Sequence, residues 1–543
     1  MNFMINETEQ KLRGGYYTPL DIAGFLTRWV HQSGASSILE PSCGDGIFLR
    51  AVNELGVGEG KAITAFELDF IEAAKSKSLS DNFDFNVNVV NTDFLAWALP
   101  RLNSGVELFD GVLGNPPFIR YQYLPENFQA IAEKVFKSRK CKFTKHTNAW
   151  VPFVIASMAL LKPGGRLAMV LPSELIHVLH AQSLRSLLVN ECSKIVIIDP
   201  EEIWFEGTLQ GAVILMAEKK VDLAQPTQGL GLLPVSGRSF LNEDPQEMFD
   251  KAVPVSGKAI DGKWTTAFLS PYVRSLIEDV EELPGIDRFK NIAKVDVGIV
   301  TGANKFFLVS DEVVETYRLQ RWAHKMFGRS EHCPGVVYDE KQHRINSSKG
   351  LPSNFLLFPE GSAEYYPEIA NYIKSGEAQN LHTRYKCSVR RCWYTVPSVY
   401  SSDIGMLKRS HDAPRLILNK AKAFTTDTAY RITSLKQPAD QMVAAFVNPL
   451  TALSAELEGR TYGGGVLELV PSEIEKLLLV YSGEGALNLG LLDSSIRDTN
   501  MRDALLSHGL AVLRNIGLKN SQVDDIAGAW IYMRNRRQRN SQD

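Results

Sequence analysis

Ser37-Ile38-Leu39-Glu40-Pro41-Ser42-Cys43-Gly44-Asp45-Gly46 is the stretch that decides the fold. A short apolar strand runs into a loop with two glycines, and a helical pattern through Phe48, Leu49 and Val52 follows. Strand, glycine loop and helix, in that order, belong to α/β domains whose ligands sit at the carboxyl ends of parallel strands. Gly44 and Gly46 let the backbone approach a ligand closely. The spacing is not Gly-x-Gly-x-x-Gly and no phosphate-binding lysine follows, so a dinucleotide or a triphosphate is disfavoured. A ligand with an amino-acid portion fits better, with Glu40 and Asp45 facing its cationic groups.

The next two strands repeat the theme. Ala62 to Phe66 ends at Glu67-Leu68-Asp69, where a carboxylate at the tip of a second strand can bridge both hydroxyls of a ribose; Glu67 is the choice. Val87 to Val90 ends near Asp93 and Phe94, an acid able to accept from an adenine amine and a ring able to pack on it. Each acid alone is more often a solvated strand end. Their recurrence at successive strand ends, beside the glycine loop, favours a ligand.

A fourth strand delivers Asn115-Pro116-Pro117-Phe118. An amine on a nucleobase is a poor nucleophile because its lone pair is delocalised. Two acceptors that grip both N–H bonds draw the nitrogen toward tetrahedral geometry, and the Asn115 amide oxygen with the Pro116 carbonyl can do so. Proline has no N–H, so consecutive prolines stiffen the loop and leave carbonyls as its main-chain polar groups. Phe118 then stacks on the base. A strand followed by a proline-rich turn is the bland alternative. Downstream, Arg120, Tyr121 and Lys142 belong to a polar, basic stretch read as a loop touching the substrate or as a solvated insertion. Upstream, Thr18 and Pro19 are placed as N-cap and first residue of a helix through Ile22, Phe25 and Trp29. Between two later strands, Phe205, preferred over Trp204, is the candidate for a second stacking face, with core packing the competing reading.

From Gly15 to about Glu218 the chain resembles the catalytic domain of DNA adenine-N6 methyltransferases of the γ arrangement, the TaqI-like and Eco57I-like restriction-modification group. The resemblance implies S-adenosylmethionine as cofactor and a Rossmann-like, seven-stranded α/β sheet whose last strand is antiparallel, followed by a mixed α+β target-recognition domain. It also implies a cap over the methionine end at Tyr17 and Thr18, and a cofactor loop at Glu40, Pro41, Cys43, Gly44 and Gly46. Glu67 and Leu68 then take the ribose, Asp93 and Phe94 the adenine, and Asn115 through Phe118 the catalytic loop. Many relatives carry tyrosine where this chain has Phe118; stacking survives that change and a phenolic hydroxyl does not.

The 543 residues allow two or more cores, and 44% hydrophobic with 22% charged residues is ordinary globular composition. A net charge of -3 neither requires nor excludes nucleic acid. Six scattered cysteines read as reduced thiols, and no metal site is read. No apolar leader or spanning run is found, so a cytoplasmic protein is expected. Proline and glycine accumulate in 221–264, which reads as a bridge between a catalytic domain over 1–220 and a recognition domain over 265–543 with a helical end. In the latter, Arg384, Lys386, Arg390, Arg391 and Trp393, then Lys420 and Lys422, interleave cations with aromatics and read as a DNA contact surface or as a solvated face. Thr461-Tyr462-Gly463-Gly464-Gly465 resembles a further element of the same group, and Arg534, Arg536, Arg537 and Arg539 read as a mobile basic tail.

The resulting expectation is methylation of adenine N6 in double-stranded DNA by a monomer, with any cognate endonuclease a separate protein. Cytosine-N4 methylation, methylation of RNA or of a protein glutamine, and a non-catalytic DNA-binding subunit are the alternatives.

Overall fold

The computed structural model describes residues 17–102, 104, 108–202, 211–481 and 487–539, in two compact units, 17–268 with Arg539 and 269–538. In the first unit, β1 (Ser37–Glu40), β2 (Ala62–Glu67), β3 (Asn86–Asn91), β4 (Phe109–Gly114), β5 (Leu161–Pro172), β6 (Cys192–Pro200) and β7 (Ala212–Lys219) lie in the order 3-2-1-4-5-7-6. The first five are parallel, and β7 is antiparallel to both β5 and β6. The chain also forms α1 (Leu20–His31), α2 (Ile47–Glu54), α3 (Phe70–Ser80), α4 (Phe94–Ala98), α5 (Glu126–Ser138), α6 (Trp150–Leu160), α7 (Gln182–Glu191) and α8 (Pro245–Lys251).

Alternation along the strands explains the layering. Leu39, Val112, Leu167 and Ile197 pack with Phe94, Phe136 and Trp150 from α4, α5 and α6. Their neighbours Ile38, Leu113, Ala168 and Val196 pack with Phe25, Phe48 and Phe249 from α1, α2 and α8. Both faces are covered, as an apolar parallel sheet requires.

The sheet does not stop at seven strands. Within the stretch read as a bridge, β8 (Gly229–Val235) pairs parallel with β6, and β9 (Pro254–Val255) pairs antiparallel with β8, so nine strands form one sheet. The glycines that suggested a linker are close-approach residues. A Cβ at Gly229 would lie 2.1 Å from the Val255 carbonyl oxygen, and one at Gly231 would lie 2.7 Å from the Ala252 Cβ. Residues 221–264 therefore complete the first unit.

The second unit is mixed. Its larger sheet has the order β10-β15-β12-β14-β11, from β10 (Ala293–Val297), β11 (Val337–Tyr338), β12 (Ile404–Leu407), β14 (Leu416–Asn419) and β15 (Ala429–Ser434). A smaller antiparallel sheet joins β13 (Arg409–Ser410) to β17 (Val466–Glu468), and β17 to β16 (Arg460–Tyr462). The unit also contains, among other elements, helices α9 (Pro271–Glu281), α10 (Pro367–Ala378), α11 (Ala439–Phe446), α12 (Pro449–Glu458), α13 (Leu489–Asp498), α14 (Met501–Arg514) and α15 (Asn520–Gln538). The arginines at the end of the chain do not form a free tail. Arg537, 3% exposed in α15, is paired through Nε and Nη2 with both Glu456 oxygens at 2.8 Å, and Arg534 is bonded to Asp412. Among the described residues no helix is long and apolar enough to cross a membrane.

Candidate active site at the strand tips

The carboxyl ends of β1, β2 and β4 are tied to one another through the glycine loop. Gly44 and Gly46 take φ of +54° and +90°, values that favour glycine. The Cys43 N–H donates to the Phe66 carbonyl at 2.8 Å, and the Gly44 N–H donates to Glu67 Oε2 at 3.0 Å. Ser42 Oγ donates to the Asn115 carbonyl at 3.0 Å. Asn115 Nδ2 donates to Thr18 Oγ1 at 3.1 Å. Thr18, the glycine loop, Glu67 and the Asn115–Phe118 loop are thus linked by hydrogen bonds. With Nδ2 turned to Thr18, Oδ1 is the acceptor end of the carboxamide.

The cluster has an electrostatic deficit. Glu40 is 1% exposed, and among the described residues neither of its carboxylate oxygens has a hydrogen-bond partner. Burial pushes its carboxyl up to about 8, reinforced by the negative charges of Glu67 and Asp45. Burial also raises Glu67, opposed by the backbone N–H groups of Asp69 and Gly44, and raises Asp45, with Glu72 adding to it. Buried carboxyls without partners are costly. A ligand carrying an ammonium group supplies the missing cation, so these residues fit S-adenosylmethionine, and Leu68, 72% exposed beside Glu67, offers an apolar surface.

Other positions differ from the sequence reading. Thr18 is not an N-cap: α1 begins at Leu20 after Pro19 with no side-chain cap, and the hydroxyl is engaged by Asn115. Asp93 Oδ1 caps α4, accepting from the Leu95 N–H at 2.8 Å and the Ala96 N–H at 3.3 Å. Phe94 is a core residue, 2% exposed, with its ring 5.5 Å from both Phe66 and Phe153. The Cys43 side chain also packs into the core, where burial and the neighbouring Glu40 push its thiol up. Pro41 lies against Gly114, where a Cβ would come within 3.2 Å of it. The Tyr17 ring edge is 3.9 Å from where a Cβ at Gly44 would stand. Phe205 lies outside the described residues.

The loop after Asn115 has an anchor that the sequence reading missed. The Tyr121 N–H donates to Asn148 Oδ1 at 3.1 Å, and Asn148 Nδ2 donates to Glu174 Oε2 at 2.9 Å. The Ala149 N–H also donates to the Ile119 carbonyl at 3.0 Å. Asn148 is buried, so it holds the segment after Phe118 in place. The only sequence hint was an asparagine just before the apolar helix α6. Phe118 is half-buried against the core, while Arg120 and Lys142 are exposed. Tyr121 meets His146 edge-on at 4.8 Å.

In the second unit the cation and aromatic run divides by burial. Arg384 and Lys386 are exposed. Trp393 is instead a core residue, packed 4.8 Å from Phe306, with Nε1 donating to Glu377 at 3.2 Å. Arg390 is a brace, donating to the carbonyls of Val300 at 2.8 Å and Trp393 at 3.3 Å. Arg391 pairs with Glu360 at 3.0 Å, Lys422 pairs with Asp403, and Lys420 lines a shallow cleft with Asp339, Glu340 and Arg344.

Two family models match the chain. The Eco57I restriction-modification methylase model covers residues 60–205, and that of the C-terminal domain of Type II methyltransferase M.Eco57I covers 261–513. The chain belongs to the Eco57I-like restriction-modification methyltransferases. It is 24% identical over 506 residues to Type II methyltransferase M.AccI of Acinetobacter calcoaceticus, spanning 89% of this chain and 87% of that one. Likeness to M.XamI of Xanthomonas campestris pv. amaranthicola is 22% over 488 residues, 86% of this chain and 84% of the relative. Among solved structures, the type IIG restriction endonuclease BpuSI is 12% identical with a TM-score of 0.40, over 96% of this chain and 66% of that one.

Proposed function

We propose that this DNA methyltransferase acts on N6 of an adenine swung out of duplex DNA, as the modification enzyme of a Type II restriction-modification system. The observation that carries the reading is the double attachment of one loop: Gly44 donates to Glu67, and two residues earlier Ser42 donates to the carbonyl of Asn115, whose side chain in turn donates to Thr18, so the cofactor loop is joined to Asn-Pro-Pro-Phe. The cofactor is S-adenosylmethionine, which supplies a methyl group on a positively charged sulfur. Glu40 receives the ammonium end and Glu67 the ribose hydroxyls. At the neighbouring strand end, Asn115 Oδ1 and the Pro116 carbonyl accept from the two N–H bonds of the target amine, and Phe118 stacks on the base. Extrusion of the base costs a few kcal/mol, offset by that stacking and those bonds. Because the loop is held by Asn148 and Ser42, the remaining barrier is lowered chiefly by positioning.

Asn115→Ala tests the assignment. Methyl transfer is expected to fall by about 10²- to 10³-fold, the range seen when one pre-placed polar group is removed from a reacting centre. Cofactor affinity by calorimetry is expected to change only a few-fold. Near-normal transfer by this variant would remove Asn115 from its role.

A further inference from the structure

The small sheet β13-β17-β16 carries a group that neither methyl transfer nor core packing uses. Arg409 and Arg460 both stand opposite Glu468 in the antiparallel register, and Tyr462 lies two residues beyond Arg460, so the four side chains share one face. Leu467, on the other face, is 2% exposed and belongs to the interior. Glu468 is 4% exposed, accepts from Arg409 Nε at 2.7 Å, and has Lys408 Nζ 3.4 Å away. The Arg409 guanidinium lies 4.9 Å from the centroid of the Tyr462 ring, and its side chain keeps 56% of its surface.

A long exposed arginine ordinarily samples many rotamers. Here a buried carboxylate holds the guanidinium by its Nε edge and an aromatic ring holds it by its face, so its two Nη groups are oriented before any partner arrives. Arg409 stands on the edge strand β13, beside the hairpin of β16 and β17. β16 and β17 are joined by Gly463-Gly464-Gly465, with φ of +76° and +67° at the last two. A Cβ at Gly465 would come 2.6 Å from Gln538 Cα, so packing requires that glycine. A Cβ at Gly464 would meet nothing within 4 Å, so the tip is open to a close partner. The major groove of B-DNA admits a two-stranded ribbon, and a guanidinium fork matches the O6 and N7 acceptors of guanine. Arg460 Nε donates to the buried Glu473 at 2.8 Å, so the more exposed cation of this face is Arg409, whose charge suits a polyanion.

Resting on the DNA-methyltransferase reading above, we propose that this ribbon enters the major groove of the target duplex and that Arg409 reads a guanine in the recognition sequence. Tyr462 and Glu468 are positioning residues for that contact.

The test is methyl transfer to a randomised duplex library, read by sequencing the modified fraction, for the wild type, Arg409→Ala and Arg409→Lys, with thermal melting to confirm that each is folded. Preference for guanine at one position is expected to drop by about 5- to 150-fold in both variants, because lysine keeps the charge and loses the fork. A uniform loss over all sequences, with Arg409→Lys behaving as wild type, would make the contact a phosphate contact and overturn the proposal. Unchanged preference in both folded variants would overturn it as well. If the wild type itself modifies no duplex, the DNA reading fails and takes this inference with it, whereas a selective wild type with unaffected variants defeats the inference alone.

Discussion

Glu40 and Trp393 are both buried polar side chains in segments rich in chemistry, and they differ in what surrounds them. Glu40 sits among Glu67 and Asp45 with no hydrogen-bond partner for either oxygen among the described residues. Trp393 Nε1 finds Glu377, and the adjoining Arg390 finds two carbonyls. A carboxyl buried without a partner beside two like charges destabilises the empty fold, and a cationic ligand relieves it; a buried polar group with its partners in place is scaffold. That contrast separates the strand-tip cluster of the first unit from Arg390 and Trp393 of the second.

The largest effect that would sharpen the contrast is loss of the Trp393 ring. Trp393→Ala is expected to destabilise the second unit by about 3–5 kcal/mol in urea melts, with cofactor affinity unchanged. Loss of DNA binding at undiminished stability would instead make Trp393 a contact residue.

The next effect is a pH dependence at Glu40. Its carboxyl in the folded protein is raised from 4.5 to about 8, so between those values the native state keeps a proton that the unfolded chain has released. Stability of the cofactor-free protein should therefore fall as pH rises through that window, by at most about 1.4 kcal/mol per pH unit from this group. Added S-adenosylmethionine should raise the melting temperature more at pH 8 than at pH 6, and Glu40→Gln should flatten the slope. A slope that survives in Glu40→Gln would place its origin elsewhere.

The smallest effects belong to the exposed cations. Arg384→Ala and Lys386→Ala should each leave stability within about 0.5 kcal/mol. Each should weaken binding to all duplexes alike and reduce the salt dependence by about one phosphate contact. An unchanged salt slope in both would remove this loop from the DNA surface.

The cluster at the strand tips was legible because its signals are local: glycines where the backbone takes positive φ at Gly44 and Gly46, and acids or an amide where parallel strands end. What escaped the sequence is tertiary. Gly229 and Gly231 look like a linker until Val255 and Ala252 are packed on them. Phe94 looks like a ligand contact until Phe66 and Phe153 enclose it. Arg390 looks like part of a free basic patch, yet the carbonyls of Val300 and Trp393 engage it in the fold. Arg537 looked like part of a mobile tail because its partner Glu456 lies 81 residues away. The anchor Asn148 left only a faint trace in the sequence because its partners, Tyr121 and Glu174, lie 27 and 26 residues away along the chain.

The most direct measurement of the central claim is the identity of the methylated nucleoside. Duplex DNA incubated with the protein and methyl-labelled S-adenosylmethionine is digested to nucleosides and separated, beside a reaction with Asn115→Ala. The account predicts label in N6-methyladenine with the wild type and a loss of about 10²- to 10³-fold with the variant. Label in N4-methylcytosine, in protein or in RNA, or equal labelling by the variant, would contradict it.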